Sequence, residues 1–348
     1  MLKTLLGLNT DELCALVQEN DEPAFRGKQL AEWVYQHGAR TFEEMTSLPE
    51  KMRARLSREY EVGRSQTVTI QQSRDGTIKL LLALADGSKV ETVGLPYADR
   101  FSCCLSTQVG CPVGCVFCAT GLGGYSRNLT VGEIVDQVLA VQEAARNQQL
   151  PADSRNRRVD HVVFMGMGEP LLNYVATVKA MRLLNSEMGI AIRHLTVSTV
   201  GFVPGIRRLS QEKMQVTLAI SFHAATDDLR RQLIPGMTGW GLTEIMDACK
   251  EYLQQTGRRV TFEYCLIDGV NDGTKEAQEL ARLLQGMNCH VNLIPYNPVP
   301  GLTFYKRSRK RIRAFREILE DAGVGVTQRV QRGSDINAAC GQLRQRTT

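Results

Sequence analysis

Residues 105–124 read LSTQVGCPVGCVFCATGLGG, which sets Cys111, Cys115 and Cys118 in a C-x3-C-x2-C array. On an uninterrupted helix, positions i, i+4 and i+7 share a face, so one reading is a buried cysteine stripe. Pro112 and Gly114 oppose it, because both are poor in a helix interior and a glycine-rich loop lets three sulfurs converge. Structural zinc is a second reading. It takes four protein ligands, commonly from paired C-x2-C units or histidines, and the nearest histidine, His161, lies far along the chain beside a strand-like run. Iron–sulfur clusters are commonly held by four cysteines, so three would leave one iron of a 4Fe-4S cluster open.

Downstream of this loop, the apolar runs HVVFMG, HLTVSTV, QVTLAISFH, RVTFEYCLI and HVNLIPY alternate with helical stretches such as TVGEIVDQVLAVQEAA. Near-continuous apolar strands separated by helices indicate βαβ units in a parallel sheet, hence an α/β fold built as a full or partial barrel. Chemistry in such barrels collects at the C-terminal strand ends. Polar or glycine-bearing groups, GMGEP, STVG, SFH and YNP, follow the strand cores at that position. Upstream, TVTIQQ, TIKLLLALA and KVETVGL, parted by RDG and DGS turns, predict an antiparallel meander over about 66–95. The first 60 or so residues read as helical, with Asp11 to Glu19 amphipathic and Gly38 a stop for FRGKQLAEWVYQHG. The stretch 151–158, PADSRNRR, reads as an exposed basic loop.

A chain of 348 residues, 43% hydrophobic and 23% charged, can bury a large core, and its composition is that of a globular protein. The formal charge of +5 favours polyanionic partners weakly. No export signal and no bilayer-length apolar run are read, so a cytoplasmic location with no membrane association is expected. There the ten cysteines would be reduced, which favours metal or redox chemistry over disulfides.

The stretches STQVGCPVGCVFCATG, GYSRNLTVGEIVDQV, VVFMGMGEPLLN, LTVSTVGFVPGI, AISFHA, VNLIPYNPVPG and GSDINAACGQLR together resemble one family. It is the radical S-adenosylmethionine (SAM) RNA methyltransferases that methylate carbon 2 of adenine. FRGKQLAEWVYQHG and FEEMTSLP resemble that family's helical accessory domain. The resemblance implies a partial (βα)6 barrel at 98–330, an RNA-binding helical domain at 1–62, a small antiparallel β extension at 63–97 and a tail at 331–348 carrying Cys340. It further implies a 4Fe-4S cluster on Cys111, Cys115 and Cys118, with SAM on the open iron and two SAM molecules used per turnover.

Carried over by position, Gly168 and Glu169 would meet the methionine amino group of SAM, and Ser198, Ser221, Phe222, His223 and Asn297 its ribose, adenine and other polar groups. Cys340 would carry the methyl group, Cys104 would be the second essential thiol, and Glu91 the candidate base; Cys103 is left as a packing residue. Carbon 2 of adenine is electron-poor and has no lone pair, so polar transfer from a sulfonium finds no nucleophile there. A cysteine thiolate does attack the sulfonium. The implied sequence runs through hydrogen-atom removal from the S-methyl group, an RNA–protein thioether, proton loss, and a Cys104–Cys340 disulfide that is then reduced.

The implied partners are 23S rRNA, free or in an assembly precursor, with tRNA as a second substrate in some members, an electron donor such as flavodoxin or ferredoxin, and a thiol reductant. A monomer suffices. KRSRKRIRAFR, Lys306 to Arg316, places seven basic residues in eleven positions and is expected to contact phosphate. Arg127 and Asn128 are expected to reach a flipped-out adenine. Arg26, Lys28, Lys51, Arg53 and Arg55 are candidates for a second RNA surface. Three rivals stay open: a relative that methylates carbon 8 and confers antibiotic resistance, a zinc-stabilised RNA-binding protein, and a radical SAM activase that needs neither Cys104 nor Cys340.

Overall fold

A computed structural model describes residues 2–147, 158–237, 239–304 and 309–344. Most of the expected basic loop, 151–157, and Lys306, Arg307 and Ser308 of the basic run lie outside the described residues. The N-terminal module holds β1 (Lys3–Thr4), α1 (Thr10–Glu19), α2 (Phe25–Ala31), α3 (Glu50–Leu56) and β2 (Tyr60–Glu61), with β1 and β2 paired in parallel. Asn9 and Glu12 form a capping box that satisfies orphan donors at the start of α1. The helix expected over FRGKQLAEWVYQHG is α2 followed by a wider-wound turn, Glu32–His37, and it ends at Gly38 in the left-handed region.

The meander forms as β3 (Gln66–Gln72), β4 (Ile78–Ala83) and β5 (Lys89–Pro96), all antiparallel. It is continuous with the barrel sheet, because β5 pairs antiparallel with β6 (Phe101–Cys104). The chain then runs through β7 (Gln108–Gly110), α4 (Ala119–Leu122), β8 (Tyr125–Asn128) and α5 (Val131–Asn147). The alternation follows: β9 (His161–Phe164), α6 (Tyr174–Ser186), β10 (Leu195–Thr199), α7 (Val203–Gln211), β11 (Thr217–Ser221), α8 (Asp227–Leu233), α9 (Leu242–Thr256), β12 (Val260–Leu266), α10 (Thr274–Leu284), β13 (Cys289–Pro295), α11 (Arg309–Asp321) and β14 (Gly325–Gln328). The ten-stranded sheet has the order β14-β13-β12-β11-β10-β9-β6-β5-β4-β3, with every neighbouring pair from β14 to β6 parallel.

This is the expected partial barrel, with one parallel strand more at its edge. Sequence periodicity missed β6, whose Phe-Ser-Cys-Cys carries little strand signal, and β14, an edge strand with only Val326 buried. Helix α5 is buried on most of its surface, which explains its broad apolar content. It lies between meander and module: Asp136 takes the Arg64 guanidinium in a buried ion pair, and Glu143 takes Arg40 at 2.8 Å. Arg64 also donates to Gly38 O, so the buried pair, whose loss of one partner costs ~3–5 kcal/mol, ties the module to α5. One apolar core runs unbroken from Leu5 and Leu13 in the module to Leu319 in α11.

Candidate active site

The cysteine loop begins where β7 ends, and the β7–β8 pair closes its neck, with the Cys111 N–H donating to Gly124 O at 2.8 Å. Between the thiols, Val113 and Phe117 point down into a small apolar cluster with Val200, Ile234 and Ile267. That anchoring leaves Cys111, Cys115 and Cys118 on the wall of one cleft, which encloses about 930 Å³ with its open mouth included. The segment is no helix, so the cysteine-stripe alternative fails. Burial pushes the Cys111 thiol up to about 12 and Cys115 well above its usual range. Burial thus disfavours the thiolates of Cys111 and Cys115, and three thiols converging on one cleft are a donor set that fits a sulfur-loving metal centre. His161 sits at the other end of the barrel, at the first residue of β9 and stacked on His194 at 4.0 Å, away from the thiols. Among the described residues no three or more His, Cys, Asp or Glu side chains are grouped to hold a single metal ion.

The same cleft is lined by Gly168, Glu169, Ser198, Ser221 and His223, each at or just past a strand's C-terminal end. Gly168 has φ +104°, and a Cβ there would lie 2.7 Å from Gln108 Cβ, so only glycine permits this turn. The Glu169 carboxylate is 2% exposed and accepts the N–H groups of Val200 at 2.8 Å and Leu171 at 3.0 Å. Burial raises its pKa to about 7, outweighing its backbone hydrogen bonds and the Arg230 guanidinium. Ser198 and Ser221 hydroxyls lie 3.3 Å apart. His223 has φ +57°, a costly conformation outside glycine. Its Nδ1 accepts the Cys265 N–H at 3.0 Å, which leaves Nε2 as the protonated nitrogen, and burial lowers the pKa to about 3. The ring is thus a neutral donor in the cleft.

Two expected contacts differ. Phe222 is fully buried, packed edge-on against Phe262, so its side chain lines no part of the cleft. Asn297 lies in a second cavity, where its Nδ2 donates to Cys340 O at 3.0 Å and its Oδ1 accepts from Gln331 at 2.6 Å.

That second cavity adjoins the first, and Cys118, Arg329 and Cys340 line both. Cys104 lines the second beside Cys340, and burial pushes its thiol up to about 12. Cys103 points the other way, fully buried with Thr92 Oγ1 3.7 Å from its sulfur. Glu91 lines neither cavity. It is 6% exposed, ion-paired to Lys79 at 3.1 Å, and accepts the Arg344 N–H at 2.8 Å.

Three charged residues escaped the sequence reading. Arg230 is buried and donates to the carbonyls of Ser221, Phe222 and Val200, tying the ends of β10 and β11 together. Glu263 lines the cleft with an oxygen that has no hydrogen-bond partner among the described residues. Arg329 lies 3.9 Å from it. Arg127 is held by Asp86 and Glu133, and the amide oxygen of the exposed Asn128 accepts from Gln108 and Tyr125. In α11, Arg313 and Arg316 pair with Glu317 and Glu320 one turn on, so the acids dilute more of the basic run than expected. In the module, Arg26 and Arg53 bond backbone carbonyls and Arg55 pairs with Glu22, leaving Lys28 and Lys51 exposed and unpaired among the described residues. Among the described residues no helix is long and apolar enough to cross a membrane.

Residues 105–284 match the Radical SAM superfamily, and residues 3–62 match the Ribosomal RNA large subunit methyltransferase N-terminal domain. The chain is 49% identical over 341 residues to a probable dual-specificity RNA methyltransferase RlmN of Thermosynechococcus vestitus, covering 98% of each chain. It is 49% identical to the protein so named in Gloeobacter violaceus, over all of this chain and 97% of the other. A crystal structure of a radical SAM methyltransferase from Sphaerobacter thermophilus superposes with a TM-score of 0.94 at 46% identity, covering 98% of this chain and 99% of that one. With both domains matched and full-length relatives this similar, the chain belongs to the radical SAM superfamily and, within it, to the RlmN family of RNA methyltransferases.

Proposed function

We propose that the chain methylates carbon 2 of an adenine in 23S rRNA and of an adenine in tRNA, using Cys340 as methyl carrier. The observation that carries this reading is the meeting of Cys104 and Cys340 with Cys111, Cys115 and Cys118 around two adjoining cavities at the strand ends, whose lining also includes a sixth cysteine, Cys265. The rRNA substrate is supported by the N-terminal match, and a second RNA by the dual-specificity name of the relatives.

In this reading Cys111, Cys115 and Cys118 hold a 4Fe-4S cluster, which with SAM bound supplies the one-electron chemistry that removes a hydrogen atom from a methyl group. Glu169, a buried carboxylate on the cleft wall, receives an ammonium group. Ser198, Ser221 and the Nε2–H of His223 offer hydroxyl and imidazole contacts to ribose and adenine, and the backbone of Phe222 completes that wall. Cys340 loses its proton and takes a methyl group by displacement at the sulfonium of a first SAM, and a second SAM is used at the cluster. After the methyl carbon bonds to adenine, Glu91 removes the ring proton. Cys104, as its thiolate, would then attack the Cys340 sulfur; the carbon–sulfur bond breaks with its electron pair on the carbon, which takes up a proton to complete the methyl group. The unpaired electron left by the addition would pass to the one-electron centre held by the three cysteines, and an external thiol reductant returns two electrons to the disulfide.

Flavodoxin or ferredoxin would supply the single electrons, and a monomer in the cytoplasm would suffice. Lys28, Lys51 and the basic start of α11 would contact RNA phosphates. Incubating the reconstituted enzyme with Cys340→Ala in place of the native chain tests the carrier: all product should vanish while iron content holds. An undiminished yield from Cys340→Ala would refute it and favour an activase.

A further inference from the structure

We infer that Lys79 is a positioning residue: with Glu91 it forms a clasp that seats the tail bearing Cys340, and a seated tail keeps Glu91 occupied. The tail folds back on the meander, which no part of the chemistry otherwise requires. Lys79 on β4 pairs with Val93 and Glu91 on β5 pairs with Leu81, so the two are diagonal neighbours on one face of the meander, both buried, with their charged ends 3.1 Å apart. Lys79 Nζ also donates to Asn337 O at 3.3 Å, three residues before Cys340, and Glu91 accepts the Arg344 N–H at 2.8 Å, four residues after it. One ion pair therefore grips the tail on both sides of the thiol.

Outer contacts extend the grip. Ser73 Oγ donates to Asp335 at 2.6 Å, and the Gly333 N–H donates to Asp75 at 2.9 Å. Gly333 has φ +62°, and a Cβ there would stand 2.8 Å from Thr77 Cγ2 and from Ala338 Cβ. Asn337 is held at φ +53°, a conformation that persists outside glycine only where its surroundings enforce it. Beyond the thiol, Gly341 O accepts from Ala119 N at 2.7 Å and Leu343 O from Thr120 at 2.6 Å, so a seated tail also rests on the cysteine loop.

A consequence follows for the order of events, and it rests on the function proposed above. Both oxygens of Glu91 are engaged while the tail is seated, one by Lys79 and one by Arg344. Release of the tail frees the Glu91 oxygen held by the Arg344 N–H together with the thiol-bearing segment, while Lys79 keeps the other oxygen, so Glu91 acts as a base only with the tail unseated.

The test uses the full-length protein with its cluster reconstituted, and needs no turnover. Lys79→Met and Gly333→Ala should each raise iodoacetamide labelling of Cys340 by about tenfold or more, and speed amide hydrogen exchange in 333–344. Labelling of Cys14 should not change, and Lys79→Arg should restore protection. Unchanged labelling and exchange in both variants would overturn the clasp, whatever the enzyme methylates. For the ordering, Ser73→Cys with Asp335→Cys, oxidised to staple the tail down, should permit methylation of Cys340 and then accumulate an RNA–protein adduct. Normal turnover of the stapled protein would overturn it.

Discussion

Two segments bring sulfur to the same cleft, the loop around Cys111 to Cys118 and the tail around Cys340, and they are held by different physics. The loop is anchored from beneath by Val113, 1% exposed, and Phe117, 8% exposed, and pinched at its neck by the β7–β8 pair. The tail has few apolar anchors of its own, chiefly Ala338 and Leu343, and is held by hydrogen bonds to the meander, the loop and Asn297. Apolar packing fixes a ligand set in one geometry, whereas a hydrogen-bonded strap can leave and return. The proposed function, a held cluster beside a thiol that moves a carbon, needs one of each.

The contrast breaks most sharply on cysteine replacement. Cys115→Ala should drop iron to background and abolish methylation, and Cys340→Ala should abolish methylation with iron unchanged; iron analysis beside a product assay reads both. Loss of iron from Cys340→Ala would make the tail part of the ligand set.

Glu169 sharpens the comparison on the strand side of the cleft. Its folded pKa of about 7 lies above the ordinary 4.5, so folding favours its protonated form. The stabilisation is full below about 4.5 and is lost as pH rises through about 7, a change of ~3 kcal/mol. In cofactor-free protein, the native chain should therefore lose more thermal stability between pH 5 and pH 8 than Glu169→Gln. Added SAM should narrow the gap, because its amino group supplies a cation. Equal pH profiles would mean the carboxyl is already compensated.

Legibility in the sequence follows the same division. The three loop cysteines, with Pro112 and Gly114 between them, are within eight residues of one another, and the strand-end groups are marked by where each apolar run stops. Those features are local, and the structure gathers them. What the sequence could not convey depends on pairing between distant segments: Glu91 meets Arg344 across 253 positions, and Lys79 meets Asn337 across 258. Arg230 and Glu263 read as ordinary charges until the barrel buries them, and Arg329 until the fold sets it, half-buried, beside Glu263 on the cleft wall. Arg127 shows the reverse error, since no local pattern announces that Asp86 will engage it. Sequence charge likewise overstated the RNA surface, because partners within the module and α11 neutralise several of the arginines.

The smallest expected effect lies farthest from either segment. Lys28→Ala with Lys51→Ala should weaken RNA binding several-fold and lower the salt dependence by about 0.7–0.9 per lost phosphate contact, with cluster content and Cys340 labelling untouched. Filter binding across a salt series measures it. An unchanged slope would return both lysines to the solvent.

The central claim is that the cleft carries a carbon from the tail thiol to the base edge of an adenine. The most direct measurement is a single-turnover reaction of anaerobically reconstituted enzyme with methyl-labelled SAM, reductant and unmodified rRNA, followed by mass spectrometry of the nucleosides and of the Cys340 peptide. The account predicts label first on Cys340 and then on carbon 2 of one adenine. Label on carbon 8, or label on RNA with none ever on Cys340, would contradict it.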